Sequence, residues 1–182
     1  DLAKDLRDHG MAADVILANN VLAHVPDLNG FVAGIGTLLK DDGVAVIECP
    51  YVKDLIDHCE FDTIYHEHLC YYSVTSLNIL FARHGLSLNR VEHYPIHGGS
   101  LRLFVEKHAK VDDSVKTYLA NEKQAKVNQL SYYTDFATSV NAVRTSLQMM
   151  LKDLKQKGKT IAAYGAAAKG AIMLNFAKVT TD

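Results

Sequence analysis

Between Phe61 and Ser73 the chain reads Phe-Asp-Thr-Ile-Tyr-His-Glu-His-Leu-Cys-Tyr-Tyr-Ser, which crowds Tyr65, His66, Glu67, His68, Tyr71 and Tyr72 into one short stretch. These groups take and give protons near neutral pH, and on a loop at the end of a strand they suit an active site. Three readings of the two histidines fit the sequence. As a metal site they are short of a third ligand, and the helical H-E-x-x-H spacing is not met. As structural residues they would be satisfied by nearby backbone. As acid–base groups they would use an imidazole that titrates near neutrality, oriented by a neighbouring carboxylate. In a helical turn Tyr65 and His68 share a face. In an extended chain Tyr65 and Glu67 point one way, His66 and His68 the other. Either way a histidine faces a substrate with a phenol or carboxylate beside it, and a tyrosine hydroxyl is a neutral donor for a developing oxyanion.

The elements around this stretch predict an α/β protein. Residues 1–9 place Leu2, Ala3 and Leu6 on one helix face, with Gly10 at the C-cap. Ala13 to Ala18 is a short apolar run that reads as a buried parallel strand, with Asn19 and Asn20 at its carboxyl end. Leu28 to Leu39 has helical spacing, Asp41-Asp42-Gly43 reads as a turn, and Val44 to Cys49 is a second buried strand stopped by Pro50. Strand–helix–strand order implies a parallel pair joined by a crossover. Ligands of such sheets sit beyond the carboxyl ends of the strands, so Asn19, Asn20, His24, Glu48 and the Tyr65–His68 stretch are expected on one rim. Ser73 or Thr75 caps a helix over Ser76 to His84, closed by Gly85. Leu86 to Tyr94 and Ser100 to Glu106 alternate as an antiparallel pair joined through Pro95 to Gly99, where Gly98 and Gly99 make a turn or also line a pocket.

Beyond a polar boundary at Lys110 to Ser114, the chain is helix-forming from Val115 to Lys157. Tyr133, Phe136, Val140, Val143, Leu147, Met150 and Leu154 form a stripe expected to face a core. Lys159 to Tyr164 reads as a strand, Gly165 to Gly170 as a small-residue turn, and Ala171 to Lys178 as a helix. Strand–turn–helix units gather backbone N–H groups and a positive helix end at one point, which favours phosphate. Lys169 is either an anion contact there or a solvated helix-start lysine. Neither a Walker loop nor G-x-G-x-x-G is present.

Composition sets the outer limits. The chain has 182 residues, 48% hydrophobic and 22% charged, with a formal net charge of −2, the balance of a soluble globular protein. Without a lysine or arginine tract, nucleic acid is not expected as the partner. The apolar runs are too short to cross a bilayer. With no charged-then-apolar leader, the cytoplasm is the default location. Cys49, Cys59 and Cys70 match neither a metal ribbon nor a disulfide framework and read as free thiols. The first residue is Asp1, already inside a helical pattern, and the chain stops soon after a strand–turn–helix unit, so a piece of a longer protein is expected.

The segments Ala18 to Asp27, Phe61 to His68, Gly98 to Arg102 and Tyr164 to Gly170 resemble, in order, the S-adenosylmethionine-dependent C-methyltransferases of nucleotide-linked deoxysugars. The Tyr-His-Glu-His motif is the most specific part. The resemblance implies three parts: the C-terminal half of a Rossmann-like methyltransferase sheet over 1–110, a helical connector over 111–158, and the start of a nucleotide-sugar-binding α/β domain over 159–182. It implies His68 as general base, with Tyr65, Glu67 and His24 at the catalytic centre. Asn19 and Asn20 would lie by the cofactor. His66, Ser100, Gly165, Lys169 and Gly170 would contact a nucleotide-linked keto-deoxysugar. Zinc is expected only in the family's N-terminal region, upstream of these residues, and none in this chain. The piece alone would then be inactive, and its first strand, lacking three predecessors, would be an apolar sheet edge that invites self-association. The alternative is a nucleotide-sugar binding or scaffold module without activity. An oxidoreductase-like domain is disfavoured, since no glycine fingerprint follows a strand.

Overall fold

A computed structural model describes residues 2–165 and 167–180. The chain runs α1 (Leu2–Asp8), β1 (Ala13–Asn19), a 3-10 turn (Leu22–His24), α2 (Leu28–Leu38), β2 (Leu39–Pro50), α3 (Val52–Asp57), a second 3-10 turn (Phe61–Thr63), α4 (Val74–Arg83), β3 (Ser87–Tyr94) and β4 (Ser100–Glu106). Four more helices follow: α5 (Asp113–Ala125), α6 (Leu130–Tyr133), α7 (Phe136–Gln156) and α8 (Ala168–Phe176). The strands form one mixed sheet in the order β1-β2-β4-β3. The β1–β2 pair is parallel, as strand–helix–strand order requires, and the β2–β4 and β3–β4 pairs are antiparallel.

The core lies on one face of this sheet. Ala45, Ile47 and Cys49 of β2 and Leu101, Leu103 and Val105 of β4 pack with Leu77, Leu80 and Phe81 of α4 and with Val32 and Ile35 of α2. Each large side chain fully buried in this way stabilises the fold by about 1.5–3 kcal/mol. Cys49 lies within it, and burial pushes its thiol up to about 12. Cys49, Cys59 and Cys70 are all free thiols.

Departures from the expected pattern have local causes. The turn expected at Asp41-Asp42-Gly43 is instead a bulge inside β2, because Ala13 pairs with Leu39 but Val15 pairs with Val44. A Cβ at Gly43 would lie 2.8 Å from the Ala13 carbonyl oxygen, so only glycine lets the bulge close against β1. Leu88 and Val91 are both buried although an even alternation would put them on opposite faces; a register shift at Asn89 turns Val91 back to the core. The shift leaves Asn89 buried, and its side chain donates to the His108 carbonyl and accepts from the Lys110 amide, tethering the approach to α5.

The helix expected over Val115 to Lys157 is three helices. α5 ends where Lys126 takes φ 61°, the Val127 amide donates to the Glu122 carbonyl at 3.0 Å, and Val127 is buried. This is a Schellman closure driven by burial of the residue after the cap. The apolar stripe expected to face a core is only partly covered: Val140 is buried and Tyr133, Phe136, Leu147 and Leu154 are half-buried, but Val143 and Met150 are 38% and 54% exposed. α7 has α8 to pack on, tied by the Gln148 amide to the Ala177 carbonyl, and the two leave a shallow groove lined by Val143, Leu147, Met150 and Met173. Lys159 to Tyr164 forms no strand. α8 begins at Ala168, earlier than the expected Ala171, so Lys169 and Gly170 lie in its first turn; Ala166 of the expected turn falls outside the described residues.

β1 is an edge strand of the described sheet, and Val15 and Leu17 on its coreless face are 55% and 69% exposed. At high concentration this chain is expected to self-associate through that edge, and Leu17→Lys to shift it towards monomer in sedimentation velocity. A wild-type chain that sediments as a monomer at the highest attainable concentration contradicts the expectation.

Candidate active site

The site is assembled at the carboxyl ends of β1 and β2. β1 stops because Asn20 enters the left-handed region at φ 55°, a conformation asparagine tolerates, while its amide still donates to the Glu48 carbonyl at 2.8 Å. The chain then drops into the Leu22–His24 turn, whose Leu22 and Ala23 are buried. Two bonds bind this turn to the His-rich stretch. The Tyr72 hydroxyl donates to the Leu22 carbonyl at 2.8 Å, and the Leu69 amide donates to the Ala23 carbonyl at 2.8 Å. Residues far apart in sequence are thereby fixed side by side.

The stretch itself has a defined shape. The Phe61–Thr63 turn is seated by Phe61, which is buried and meets Phe176 of α8 at 5.0 Å between ring centroids. A turn follows, closed by the His68 amide donating to the Tyr65 carbonyl at 3.0 Å. Of the two geometries open to the sequence, the turn forms: Tyr65 and His68 share a side, their rings 4.4 Å apart. His66 and Glu67, at the tip, reach solvent with side chains 88% and 60% exposed.

Hydrogen bonding fixes the chemistry of His68. Its Nδ1 lies 2.8 Å from the Thr63 carbonyl oxygen, which only accepts, so Nδ1 carries the proton. Neutral His68 then has its lone pair on Nε2, facing the Tyr65 hydroxyl at 3.3 Å. His24 is held the same way, Nδ1 donating to the Glu67 carbonyl at 2.8 Å, and its ring meets His68 edge-on at 4.9 Å. Tyr71 stands behind, 6.3 Å from the His68 ring, and burial pushes its phenol above the ordinary range, so it stays a neutral hydroxyl. Each imidazole of the site thus has Nδ1 committed to a carbonyl and Nε2 left as its other ring nitrogen, with the Tyr65 and Tyr71 phenols beside His68. The group that orients His68 is a backbone carbonyl, not the carboxylate the sequence suggested: Glu67 contributes its carbonyl oxygen, while its carboxylate points outward.

The remaining candidates divide. Asn19 is exposed at the end of β1, in register with Glu48. Glu48, expected on the open rim, is instead buried and takes two bonds from the Arg102 guanidinium, which also donates to Tyr94 and lies over its ring at 4.2 Å. Ser100 is fully buried, its hydroxyl donating to the Ile96 carbonyl at 3.1 Å, so it closes the β3–β4 turn. That turn favours glycine, since Gly98 and Gly99 take φ 87° and 128°. Gly165 is exposed, and Lys169 and Gly170 lie in the first turn of α8, whose other end carries the Phe176 contact with Phe61. Sequence reasoning missed Thr63, Tyr51 and Glu122. Thr63 acts through its backbone, which leaves no residue-type signal, and Glu122 lies 47 residues from the Thr75 amide it holds. Among the described residues no group of three or more His, Cys, Asp or Glu is placed to hold a metal, and no helix is long and apolar enough to cross a membrane.

Two imidazoles thus meet near the carboxyl rim of a parallel strand pair, where ligands of α/β sheets sit. Residues 2–91 match the family model of the methyltransferase domain, and residues 95–182 match that of the C-methyltransferase C-terminal domain. The chain belongs to the C-methyltransferase family. It is 35% identical over 169 residues to the C-methyltransferase NovU of Streptomyces niveus, a match that takes in 91% of this chain and 40% of that protein. Solved structures overlap it in part: M1.HpyAVI (TM-score 0.39, 16% identity, 60% of this chain and 52% of that one) and an O-methyltransferase family protein from Burkholderia thailandensis (TM-score 0.40, 18% identity, 59% and 33%). Overlaps of that size bear on no residue's role.

The Tyr72–Leu22 bond supports the whole arrangement. Tyr72→Phe leaves a buried carbonyl without its donor and is expected to destabilise the chain by about 1–3 kcal/mol. The urea midpoint measures this, and an unchanged midpoint would remove the bond from the account.

Proposed function

We propose that the complete protein transfers a methyl group from S-adenosylmethionine to the carbon next to a keto group of a nucleotide-linked deoxysugar. The observation that carries the reading is the hydrogen-bonded tautomer of His68, with Nδ1 donating to a carbonyl and Nε2 left as the accepting nitrogen beside Tyr65. A ketone acidifies the neighbouring C–H, and general-base removal of that proton is what such an imidazole does. S-adenosylmethionine supplies an electrophilic methyl when bound. The chain's residues fit such a partner in one respect: the exposed Asn19 amide, beside Asn20 at the rim, offers both a donor and an acceptor to an amino-acid moiety.

The residues divide the work as follows. His68 Nε2 takes the proton, and the Thr63 carbonyl, bonded to Nδ1–H, stabilises the imidazolium that forms. Nε2 has one lone pair, so the Tyr65 hydroxyl turns from it to the keto oxygen as substrate arrives, and stays bonded to that oxygen as it becomes the enolate. His24 Nε2 and the outward Glu67 and His66 side chains face the sugar. Lys169, with Gly165 and Gly170, faces the nucleotide phosphates, supported by the uncapped first turn of α8. Ser100 assists only through the turn it closes. The division of the chain into a sheet portion over 1–110, a connector over 111–158 and a C-terminal portion over 159–182 belongs to the same proposal, as does its place in the cytoplasm.

His68→Asn in the complete protein is expected to lower methyl transfer by about 100-fold or more while leaving cofactor affinity nearly intact. Turnover followed with labelled cofactor, together with calorimetric titration of the cofactor, measures both. Normal turnover would remove His68 from the mechanism. Binding of sugar nucleotides with no transfer to any keto sugar would favour a binding module.

A further inference from the structure

One buried charge in this molecule takes no part in the chemistry above. Glu122 of α5 is 1% exposed, and its carboxylate is ringed by neutral donors. Oε1 accepts from the Tyr51 hydroxyl at 2.9 Å and the Val74 amide at 2.6 Å. Oε2 accepts from the Thr75 amide at 2.8 Å and the Thr75 hydroxyl at 2.5 Å. The two amides belong to the first turn of α4, where backbone donors have no partner within the helix and a negative charge is favoured. The cap residue Ser73 is already committed to Ser76, so Glu122 supplies the acceptors that α4 otherwise lacks.

These four donors flank the catalytic stretch. Tyr51 and Tyr72 form a parallel bridge, and the Val52 amide donates to the Tyr72 carbonyl at 2.9 Å. Tyr72 in turn holds Leu22, and Leu69 holds Ala23. The segment carrying His68 is therefore fastened at two places: at Thr63, through the bond to Nδ1, and just beyond Tyr72, where the Glu122 carboxylate holds Val74 and Thr75 and, through Tyr51, the strand end that pairs with Tyr72. We propose that Glu122 is a positioning residue for His68, set on the connecting helix so that residues of the C-methyltransferase C-terminal portion hold the catalytic stretch of the methyltransferase portion in register. The groups that donate hydrogen bonds to the carboxylate lie within residues 2–91, whereas Glu122 lies within 95–182. The two portions thus share a buried polar node at the start of α4, a few residues beyond His68 in sequence. The proposal rests on His68 being the base.

Glu122→Gln keeps the shape but turns one acceptor oxygen into an N–H₂ that faces backbone and hydroxyl donors. In the complete protein this variant is expected to lower kcat by about tenfold or more with KM for cofactor and sugar nucleotide nearly unchanged, because misplacing a bound base costs rate rather than affinity. Amide hydrogen exchange is expected to quicken at Val52, Leu69, Val74 and Thr75 and to stay slow at Ile47 and Leu103 in the sheet. A residue of purely structural value would instead raise exchange throughout. Wild-type kcat with unchanged exchange at Leu69, or uniformly faster exchange, overturns the proposal. Should Glu122→Gln fail to fold, Thr75→Val, which removes one donor and keeps the carboxylate, is judged by the same two readouts. If the unaltered protein methylates no keto-sugar nucleotide, the functional reading fails, and the exchange pattern still decides the coupling.

Discussion

The carbonyl oxygen of Thr63 determines what His68 can do. A carbonyl cannot donate, so the imidazole nitrogen facing it must, and the other nitrogen becomes the one available to a substrate. That bond exists only while Phe61 to Thr63 keeps its tight turn. The turn holds because Phe61 is buried and the Thr63 hydroxyl donates back to the Glu60 carbonyl at 2.8 Å. A packing interaction of one aromatic side chain thus sets the protonation pattern of another residue.

The rest of the fold brings a second chain segment to that imidazole. β1 runs parallel to β2 with Asn19 paired to Glu48, so its carboxyl end arrives close to the end of β2. Asn20 turns the backbone, the Leu22–His24 turn descends, and two hydrogen bonds hold it against the His-rich stretch. His24 and His68 then meet edge to face, each with Nδ1 committed to a carbonyl. Because both anchors are backbone atoms inside fixed turns, the imidazoles are held with little freedom before any ligand arrives, which is the condition under which positioning contributes to rate.

Much of this was legible in the sequence because local pattern and local structure agree. The apolar run at Ala13 to Ala18 and the helical spacing after Asp27 gave the parallel pair, and that pair placed Asn19, Asn20, His24 and the Tyr65–His68 stretch on one rim. The antiparallel hairpin followed from alternation and a double glycine. The failures come from long-range packing. Nothing near Val115 to Lys157 marks a break at Lys126, since the helix ends to bury Val127. The stripe on α7 has the right period but is only partly covered, because periodicity shows which face is apolar and not how much of it a neighbour buries. Glu48 has the residue type of a rim carboxylate, yet Arg102 on the neighbouring strand captures it. Glu122 carried no signal, because its partners are two backbone amides and two hydroxyls distant in sequence.

The tautomer of His68 is the point on which the rest turns. Nitrogen-15 NMR of the histidine side chains, with His68 assigned through its own substitution, reads it directly. A protonated Nδ1 and an unprotonated Nε2 in the neutral ring are predicted. A neutral ring with the proton on Nε2 would leave no lone pair towards the substrate and would contradict the account.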